Sequence, residues 1–190
     1  AQGTPANQAG KVSGSRQLTG TGVGNATNWF KSTVTTPAPT PSQITFQAWL
    51  RMKELSSFAA QAAHWNGRVF YQKDSNDVKM TFSVTGSSAT GLKTAVTTQD
   101  DAWVLLHGTH ASGTTRLYRN GTQEATVGSQ TIGDGIVSSP RATIGGNRLG
   151  ASGWRNGASV DEVRVRLTAL TADWIAAEHA NQTSPSTYYT

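Results

Sequence analysis

Carboxylate pairs are the first residues in this sequence that could do chemistry. A retaining glycosidase needs two carboxyl groups about 5 to 5.5 Å apart on either side of the scissile bond. Asp161 and Glu162 are adjacent, so on a strand they point to opposite faces and cannot flank one bond. Asp100-Asp101 and the stretch Asp74 to Asp77 lie in turn-like sequence, where Asp commonly makes local hydrogen bonds. The acids therefore predict no catalytic pair.

Nucleophiles and metal ligands are equally sparse. The sequence has no Cys and no G-x-S-x-G motif, which removes the usual signatures of a thiol or serine nucleophile. His107 and His110 are three residues apart, so on a strand they face opposite sides and cannot form a simple zinc pair. We expect a protein that is not an enzyme.

Seven aromatic and polar side chains share a different property: they alternate with the apolar positions of three predicted strands. Ile44, Phe46, Ala48 and Leu50 fall on one face of the first strand, which is therefore its core face. The seven positions out of phase with the core are Gln47, Trp49 and Arg51; Trp103 and His107; and Arg116 and Tyr118.

The elements that position these residues are mostly strands. Period-two alternation also marks residues 79–84 and 103–109 as strands. Asn120-Gly121 lies between two strand patterns and is the pair that a two-residue type I′ turn favours, which predicts a hairpin. One short helix is predicted from about 172 to 180, with Thr171 as its N-cap and Asp173 in its first turn.

Composition and charge agree with one all-β domain. The 190 residues include 36% hydrophobic and only 14% charged residues, and the abundant Thr, Ser, Gly and Val favour strands and turns. We expect a single domain over residues 1–190, with residues 1–16 as a lead-in or edge segment and residues 183–190 as a linker-like tail. The net charge is +5, but the basic residues are scattered, which argues against a specific nucleic-acid partner. No apolar run approaches the roughly 18 residues of a membrane span, so no membrane insertion is expected.

An ordered set of motifs carries a family resemblance. The motifs are W-L-R (49–51), D-D-A-W-V-L-L-H-G-T (100–109), R-L-Y-R-N-G-T (116–122), A-T-I-G-G-N (142–147), W-R-N-G-A-S-V-D-E-V-R-V (154–165) and L-T-A-D-W-I-A-A-E (170–178). From about residue 15 to residue 180 the chain resembles the laminin-G-like domains of the concanavalin A-like lectin and glucanase superfamily, similar to modules in large bacterial secreted or surface proteins. Asn120 replaces the usual Asp of the hairpin turn, and His107 stands where small residues are usual.

The resemblance implies a two-sheet antiparallel jelly-roll β-sandwich with one concave sheet and a short C-terminal helix. It makes the three strands above neighbours in the concave sheet, so that their seven side chains would form one ligand face. Aromatic rings with planar polar groups are the mixture that binds sugars. The alternative is that loops fold over this face and that its aromatic side chains form a second small core. If a ligand binds but not on this face, the loops around Trp65 and Trp154 are the next candidate site.

Asp161 is a candidate metal ligand. Period-two alternation places it on the same face as Val163 and Val165, which predicts a carboxylate at the edge of the core that must be paired, hydrogen-bonded or metal-bound. In the family the matching Asp is often close to a structural calcium ion, so the resemblance implies Ca²⁺ as a cofactor and no other. The alternative is a carboxylate that accepts backbone N–H groups.

Two functional classes follow from the resemblance. The first is a non-catalytic carbohydrate-binding or adhesion module of a larger extracellular or cell-surface protein, with a glycan, a surface polysaccharide or another protein as partner. The second is a structural spacer or a particle-decoration subunit without a small ligand. A sandwich-type glycoside hydrolase is a third class, which the acids disfavour. We expect any export signal to have been removed or to lie upstream, and the sequence leaves the oligomeric state open.

Overall fold

The computed structural model describes residues 6–8, 15–17, 30–36, 38–51, 60–73, 79–87, 90–97, 102–135, 141–145 and 159–184. Within these ranges it contains thirteen strands and one helix. In chain order they are β1 (Ala6–Gln8), β2 (Ser15–Gln17), β3 (Phe30–Lys31), β4 (Ile44–Arg51), β5 (Ala60–Trp65), β6 (Val69–Lys73), β7 (Lys79–Ser83), β8 (Leu92–Thr97), β9 (Trp103–Ala111), β10 (Thr114–Arg119), β11 (Thr122–Val127), β12 (Ala142–Ile144), β13 (Ser159–Arg166) and α1 (Ala172–Thr183).

The strands form two sheets. The first has seven strands in the order β1-β2-β13-β4-β9-β10-β11, and the second has six in the order β3-β12-β5-β6-β7-β8. Every strand pairing in the described ranges is antiparallel. The predicted fold class, an all-β antiparallel sandwich with one short C-terminal helix, is confirmed. Strand β1, which lies in the predicted lead-in, forms one edge of the seven-stranded sheet.

The core lies between the two sheets and follows the predicted alternation. Ile44, Phe46, Ala48 and Leu50 of β4 are at most 1% exposed. Met80, Phe82 and Val84 face them from the second sheet, and the Phe46 and Tyr71 rings stack with centroids 5.2 Å apart. Gly108 of β9 sits directly over Phe82, because a Cβ built at this glycine would lie 2.3 Å from the ring. A glycine is required here by the close approach of the ring.

Three connections between successive strands use residues with positive φ. The predicted hairpin at Asn120–Gly121 is confirmed, with φ values of 49° and 83°, as a type I′ turn requires. The Asn120 side chain also accepts a hydrogen bond from the backbone N–H of Leu105 at 3.0 Å. Ser112–Gly113 and Asn66–Gly67 show the same pair of positive φ values.

Helix α1 begins where the sequence predicted and extends three residues further than the predicted end at Ala180. The hydroxyl of Thr171 accepts a hydrogen bond from the N–H of Trp174, which caps the helix. The turn that leads into α1 is fixed by Thr45 of β4. Its hydroxyl donates to the carbonyl of Thr168 at 2.7 Å and accepts from the N–H of Leu170 at 2.9 Å. These two bonds fold the chain back so that α1 lies on the seven-stranded sheet.

A β-bulge in β13 corrects the prediction made for Asp161. The pairing with β4 shifts between Asp161 and Arg164, and Glu162 has a φ of 49°, as at the first residue of a G1-type bulge. Asp161 is consequently paired with Trp49 and faces away from the core. The period-two interpretation that grouped Asp161 with Val163 and Val165 is therefore wrong, because the extra residue reverses the phase of the alternation.

Candidate functional site

The outer face of the seven-stranded sheet, meaning the face opposite the core, brings together the side chains that the sequence predicted to bind ligand. Gln47 on β4 is paired with His107 on β9 and with Arg164 on β13, and His107 is paired with Tyr118 on β10. Further pairs on this face are Trp49 with Leu105, Arg51 with Trp103, and Arg116 with Thr109. The predicted grouping of these strands and side chains is present in the structure.

Helix α1 covers the middle of this face. Ile175, Glu178, His179 and Gln182 lie at i, i+3, i+4 and i+7, which places them on one side of a helix. Ile175 is fully buried. The indole Nε1 of Trp49 donates a hydrogen bond to Gln182 Oε1 at 2.5 Å, and the centroids of the Trp49 and His179 rings are 6.0 Å apart. The sheet and the helix together enclose a second, smaller buried layer.

The predicted ligand contacts divide into two groups under this cover. Four are buried, with exposed fractions of 0% for Gln47, 0% for His107, 1% for Trp49 and 3% for Tyr118. The other three, Arg51, Trp103 and Arg116, are half-buried. The expectation that the face is open is thus not met for the first group, because α1 lies over it. The role of all seven as ligand contacts stays a prediction.

Glu178 is the charged centre of the buried layer. Its Oε1 accepts hydrogen bonds from Arg164 at 2.7 Å and from Arg166 at 2.8 Å, and its Oε2 lies 3.2 Å from His107 Nε2. Arg166 also donates to the side-chain carbonyl of Gln47 at 3.0 Å. Arg164 makes a further ion pair with Glu162. Glu178 therefore links α1 directly to β13 and β9, and through Arg166 to β4.

Burial and charge act in opposite directions on the pKa values of this layer. Burial alone would raise the pKa of Glu178, but the hydrogen bonds from His107 and Arg166 and the arginine charge outweigh it and lower the pKa to about 2. Burial lowers the pKa of His107, and its hydrogen bond to Glu178 only partly opposes this. At neutral pH Glu178 is therefore ionised and His107 is neutral, with Nε2–H donating to the carboxylate.

A notch opens beside α1, on the side of the helix next to the buried layer. Its volume is about 350 Å³, and its lining residues are Arg166, Leu170, Trp174, Ala177, Glu178 and Asn181. Trp174, Ala177, Glu178 and Asn181 are spaced i, i+3, i+4 and i+7, so one face of the helix forms one wall of the notch. The other wall comes from the end of β13 and the turn that follows it.

Trp174 provides an exposed aromatic ring at the notch. Its side chain is 67% exposed, although a Trp in a folded domain is highly buried on average. An accessible indole plane beside a guanidinium, a carboxylate and an amide can stack on an apolar ring face and bind hydroxyl groups at the ring edge. Sequence reasoning missed this residue because it treated Trp174 as part of the helix alone. The signal that could have found it is the position of Trp174 next to Ile175, about 100° away around the helix from the buried side.

The remaining predicted sites lie elsewhere. Trp65 ends strand β5 and packs against the core, so it is not at a loop tip, and Trp154 lies outside the described residues. Asp161 is 9% exposed, and its Oδ1 accepts the N–H of Glu162 at 2.9 Å. In the described part of the chain no group of three His, Cys, Asp or Glu residues could hold a metal ion. These contacts fit the backbone role foreseen for Asp161, and calcium there stays a prediction.

The jelly-roll sandwich and its motifs place the chain in a known family. Residues 23–176 match the Laminin_G_3 model of the concanavalin A-like lectin/glucanases superfamily, and the chain belongs to this family. A comparison with curated proteins found no match. Among the helices of the described ranges, none is long and apolar enough to cross a membrane.

Solved structures with the same fold come from proteins of several kinds. A proposed carbohydrate-binding protein from Bacteroides ovatus aligns with a TM-score of 0.62 at 17% identity, over 81% of this chain and 45% of its own. Botulinum neurotoxin type C, whose cell entry depends on two ganglioside molecules, aligns with a TM-score of 0.56 at 12% identity, over 74% of this chain and 36% of its own. A Trypanosoma rangeli sialidase aligns with a TM-score of 0.53 at 16% identity, over 75% of this chain and 23% of its own. This chain thus spans less than half the length of each of these proteins, and the likeness concerns the fold.

Proposed function

We propose that this domain is a non-catalytic carbohydrate-binding module and that a sugar binds in the notch beside α1. The observation that carries the proposal is the 67% exposed ring of Trp174 at the rim of a notch with polar groups. A stacked sugar would bury its C–H face on the indole, while Arg166, Glu178 and Asn181 bind its hydroxyl groups. The lectin superfamily to which the chain belongs, and the sugar-binding proteins that share its fold, support this proposal.

The ionisation of Glu178 supports a binding role over a hydrolytic one. A glycosidase needs a carboxylic acid that keeps its proton near neutral pH, and such acids have a raised pKa. Glu178 lines the notch, but its pKa is lowered to about 2, so it has no proton to give to a leaving group. Its carboxylate is instead a permanent hydrogen-bond acceptor.

The proposal includes where the module works and what protein it is part of. We place it outside the cell or on the cell surface, as one part of a longer protein. The Bacteroides ovatus protein and the botulinum neurotoxin are longer chains, of which this domain spans less than half. A role in adhesion would follow if the bound glycan belongs to a cell surface.

The test begins with a glycan array and continues with titration calorimetry on the glycans that bind. Trp174→Ala should weaken binding several-fold to tenfold, because an aromatic contact contributes on the order of 1 kcal/mol. Leu167→Ala is the matched control, because Leu167 is 60% exposed but does not line the notch. It should bind as the parent does.

Two results would contradict the proposal. If no glycan on a broad array binds, the proposed carbohydrate-binding function is contradicted. If a glycan binds but Trp174→Ala leaves its affinity unchanged, the site is elsewhere. Trp103→Ala and Arg116→Ala would then test the half-buried margin of the outer face, which the sequence predicted as a contact surface.

A further inference from the structure

The charged groups at the notch are already paired with one another. Arg166 donates to Glu178 through one terminal nitrogen and to Gln47 through the other. Arg164, which flanks the notch, is held between Glu178 and Glu162. Two guanidinium groups therefore face two carboxylates, and their charges cancel. In the part of the chain that the structure describes, the notch has no unpaired guanidinium in its lining.

The local charge differs from the charge of the whole chain. A net charge of +5 would favour an acidic partner over long distances. Next to the notch, however, the carboxylate of Glu178 is ionised, because its pKa is about 2, and Asp173 is exposed beside Trp174. Burial keeps His107 neutral by lowering its pKa. A carboxylate or sulfate in the notch would find no free guanidinium in the described lining to pair with, because Arg166 is already bonded to Glu178 and Gln47.

The groups that line the notch fit hydroxyls instead. Glu178 accepts hydrogen bonds, and the amide of Asn181 both donates and accepts. A hexose hydroxyl can donate to the first and exchange hydrogen bonds with the second. A volume of about 350 Å³ lies at the small end of the range for ligand pockets, roughly 300 to 1,000 Å³. This size fits the terminal unit of a glycan better than a long stretch of chain.

We infer that the notch selects neutral sugars and discriminates against glycans that carry a carboxylate or sulfate at the bound unit. The inference rests on the proposed carbohydrate-binding function and names the ligand class of the same site. The selectivity comes from Glu178, which holds the guanidinium of Arg166 in an ion pair, so that it is not free to bind an anionic ligand.

The experiment compares neutral sugars with acidic counterparts on one carrier protein. The pairs are glucose with glucuronate, galactose with galacturonate, and lactose with 3′-sialyllactose. In every pair that binds, the neutral member should bind at least tenfold more tightly. Its affinity should change less than twofold between about 50 and 500 mM NaCl, because an uncharged ligand is not subject to ionic screening.

Glu178→Gln tests the origin of the selectivity. The substitution keeps the shape of the side chain and releases Arg166 from its ion pair, so the preference for the neutral member should fall at least fivefold. Glu124→Gln is the control, because Glu124 is paired with Arg119 away from the notch and should keep the parent's preference. Circular dichroism and thermal unfolding check that both variants are folded. If Glu178→Gln does not fold, the neutral-to-acidic ratios and the salt dependence of the parent decide the question.

The possible failures are distinct. Equal or tighter binding of the acidic members, or an affinity that falls steeply with salt, would overturn the selectivity and leave the carbohydrate-binding function standing. A Glu178→Gln variant that is folded and keeps the full preference would show that the selectivity does not come from Glu178. Absence of binding by every member of every pair would contradict the proposed function and this inference together.

Discussion

Glu178→Gln should lower the free energy of unfolding at pH 7 and should remove part of its dependence on pH. The pKa of Glu178 is lowered from 4.5 to about 2, which corresponds to about 3 kcal/mol of stabilisation when the carboxylate is ionised. The Glu178 side chain is 13% exposed, but its partners Arg164 and Arg166 are 40% and 31% exposed, so screening by solvent reduces this figure. We expect the variant to lose about 2 to 3 kcal/mol at pH 7, because Arg166 also loses its counter-charge and Arg164 keeps only that of Glu162.

The sign of the pH effect follows from the direction of the shift. A carboxyl group with a lowered pKa in the folded state stabilises the fold above its unfolded value, near pH 4.5, and this stabilisation disappears as the pH falls towards about 2. Urea unfolding of parent and variant at a series of pH values from 7 to 2.5 measures the effect. The two curves should be well separated at pH 7 and should approach each other between about pH 4.5 and 2.5, with most of the difference lost at the lower end. His107 also favours unfolding in acid, because burial lowers its pKa, and this effect is larger in the variant, which lacks the carboxylate that opposes the lowering.

Glu124→Gln is the matched control for this experiment. Glu124, which is 15% exposed, is paired with Arg119, whose side chain is 42% exposed, and an ion pair with one solvated partner contributes about 1 kcal/mol or less. If the two glutamine variants lose the same stability at pH 7, the cluster around Glu178 is not a buried ionic centre. If the curve of Glu178→Gln stays parallel to that of the parent down to pH 2.5, its pKa is not lowered by its partners.

Three further substitutions or titrations test other parts of the structure. Gly108→Ala should lower the free energy of unfolding by at least about 1 to 3 kcal/mol, because its Cβ would lie 2.3 Å from the Phe82 ring. The control Gly128→Ala, whose Cβ would meet no atom within 4 Å, should leave the melting temperature unchanged. Equal effects of the two substitutions would contradict the close approach of Gly108 to Phe82. Trp49→Ala should cost about 3 to 5 kcal/mol, because its indole is buried under α1, and a variant as stable as the parent would show that α1 does not cover this side chain. If calcium binds at Asp161, a calcium concentration about a hundred times the Kd should stabilise the parent by about 2.7 kcal/mol and leave Asp161→Asn unaffected. An unchanged melting temperature of the parent in calcium would exclude Asp161 as a calcium ligand.

The sequence predicted well those features that depend on local patterns. The alternation of Ile44, Phe46, Ala48 and Leu50 identified the core face of β4 correctly, because slippage by one residue would move this whole apolar set out of the core. The turn at Asn120–Gly121 and the cap at Thr171 were predicted because each depends on a specific backbone conformation or a specific hydrogen bond.

The features that the sequence could not give depend on long-range contacts or on one irregular residue. The position of α1 on the outer face is fixed by the two hydrogen bonds of Thr45 to the turn after β13, and no sequence pattern marks that pair. The bulge at Glu162 contains no glycine to signal a positive φ. Regular alternation was therefore assumed across it, which placed Asp161 on the wrong face. The notch joins residues of a strand end and a helix, and only their contact reveals it.

The position of β4 in the middle of the seven-stranded sheet has a consequence for the order in which the chain folds. Its neighbours are β9 and β13, and Gln47 and Arg166 on β4 and β13 are separated by 119 residues. A chain on the ribosome exposes β4 long before its second neighbour has been made, so that one edge of an apolar strand offers unpaired N–H and C=O groups to other chains. Closing so long a loop is also slow compared with forming a hairpin. We therefore expect the nascent domain to be most prone to aggregation in the interval between the synthesis of β4 and that of β13, and most dependent on chaperones then.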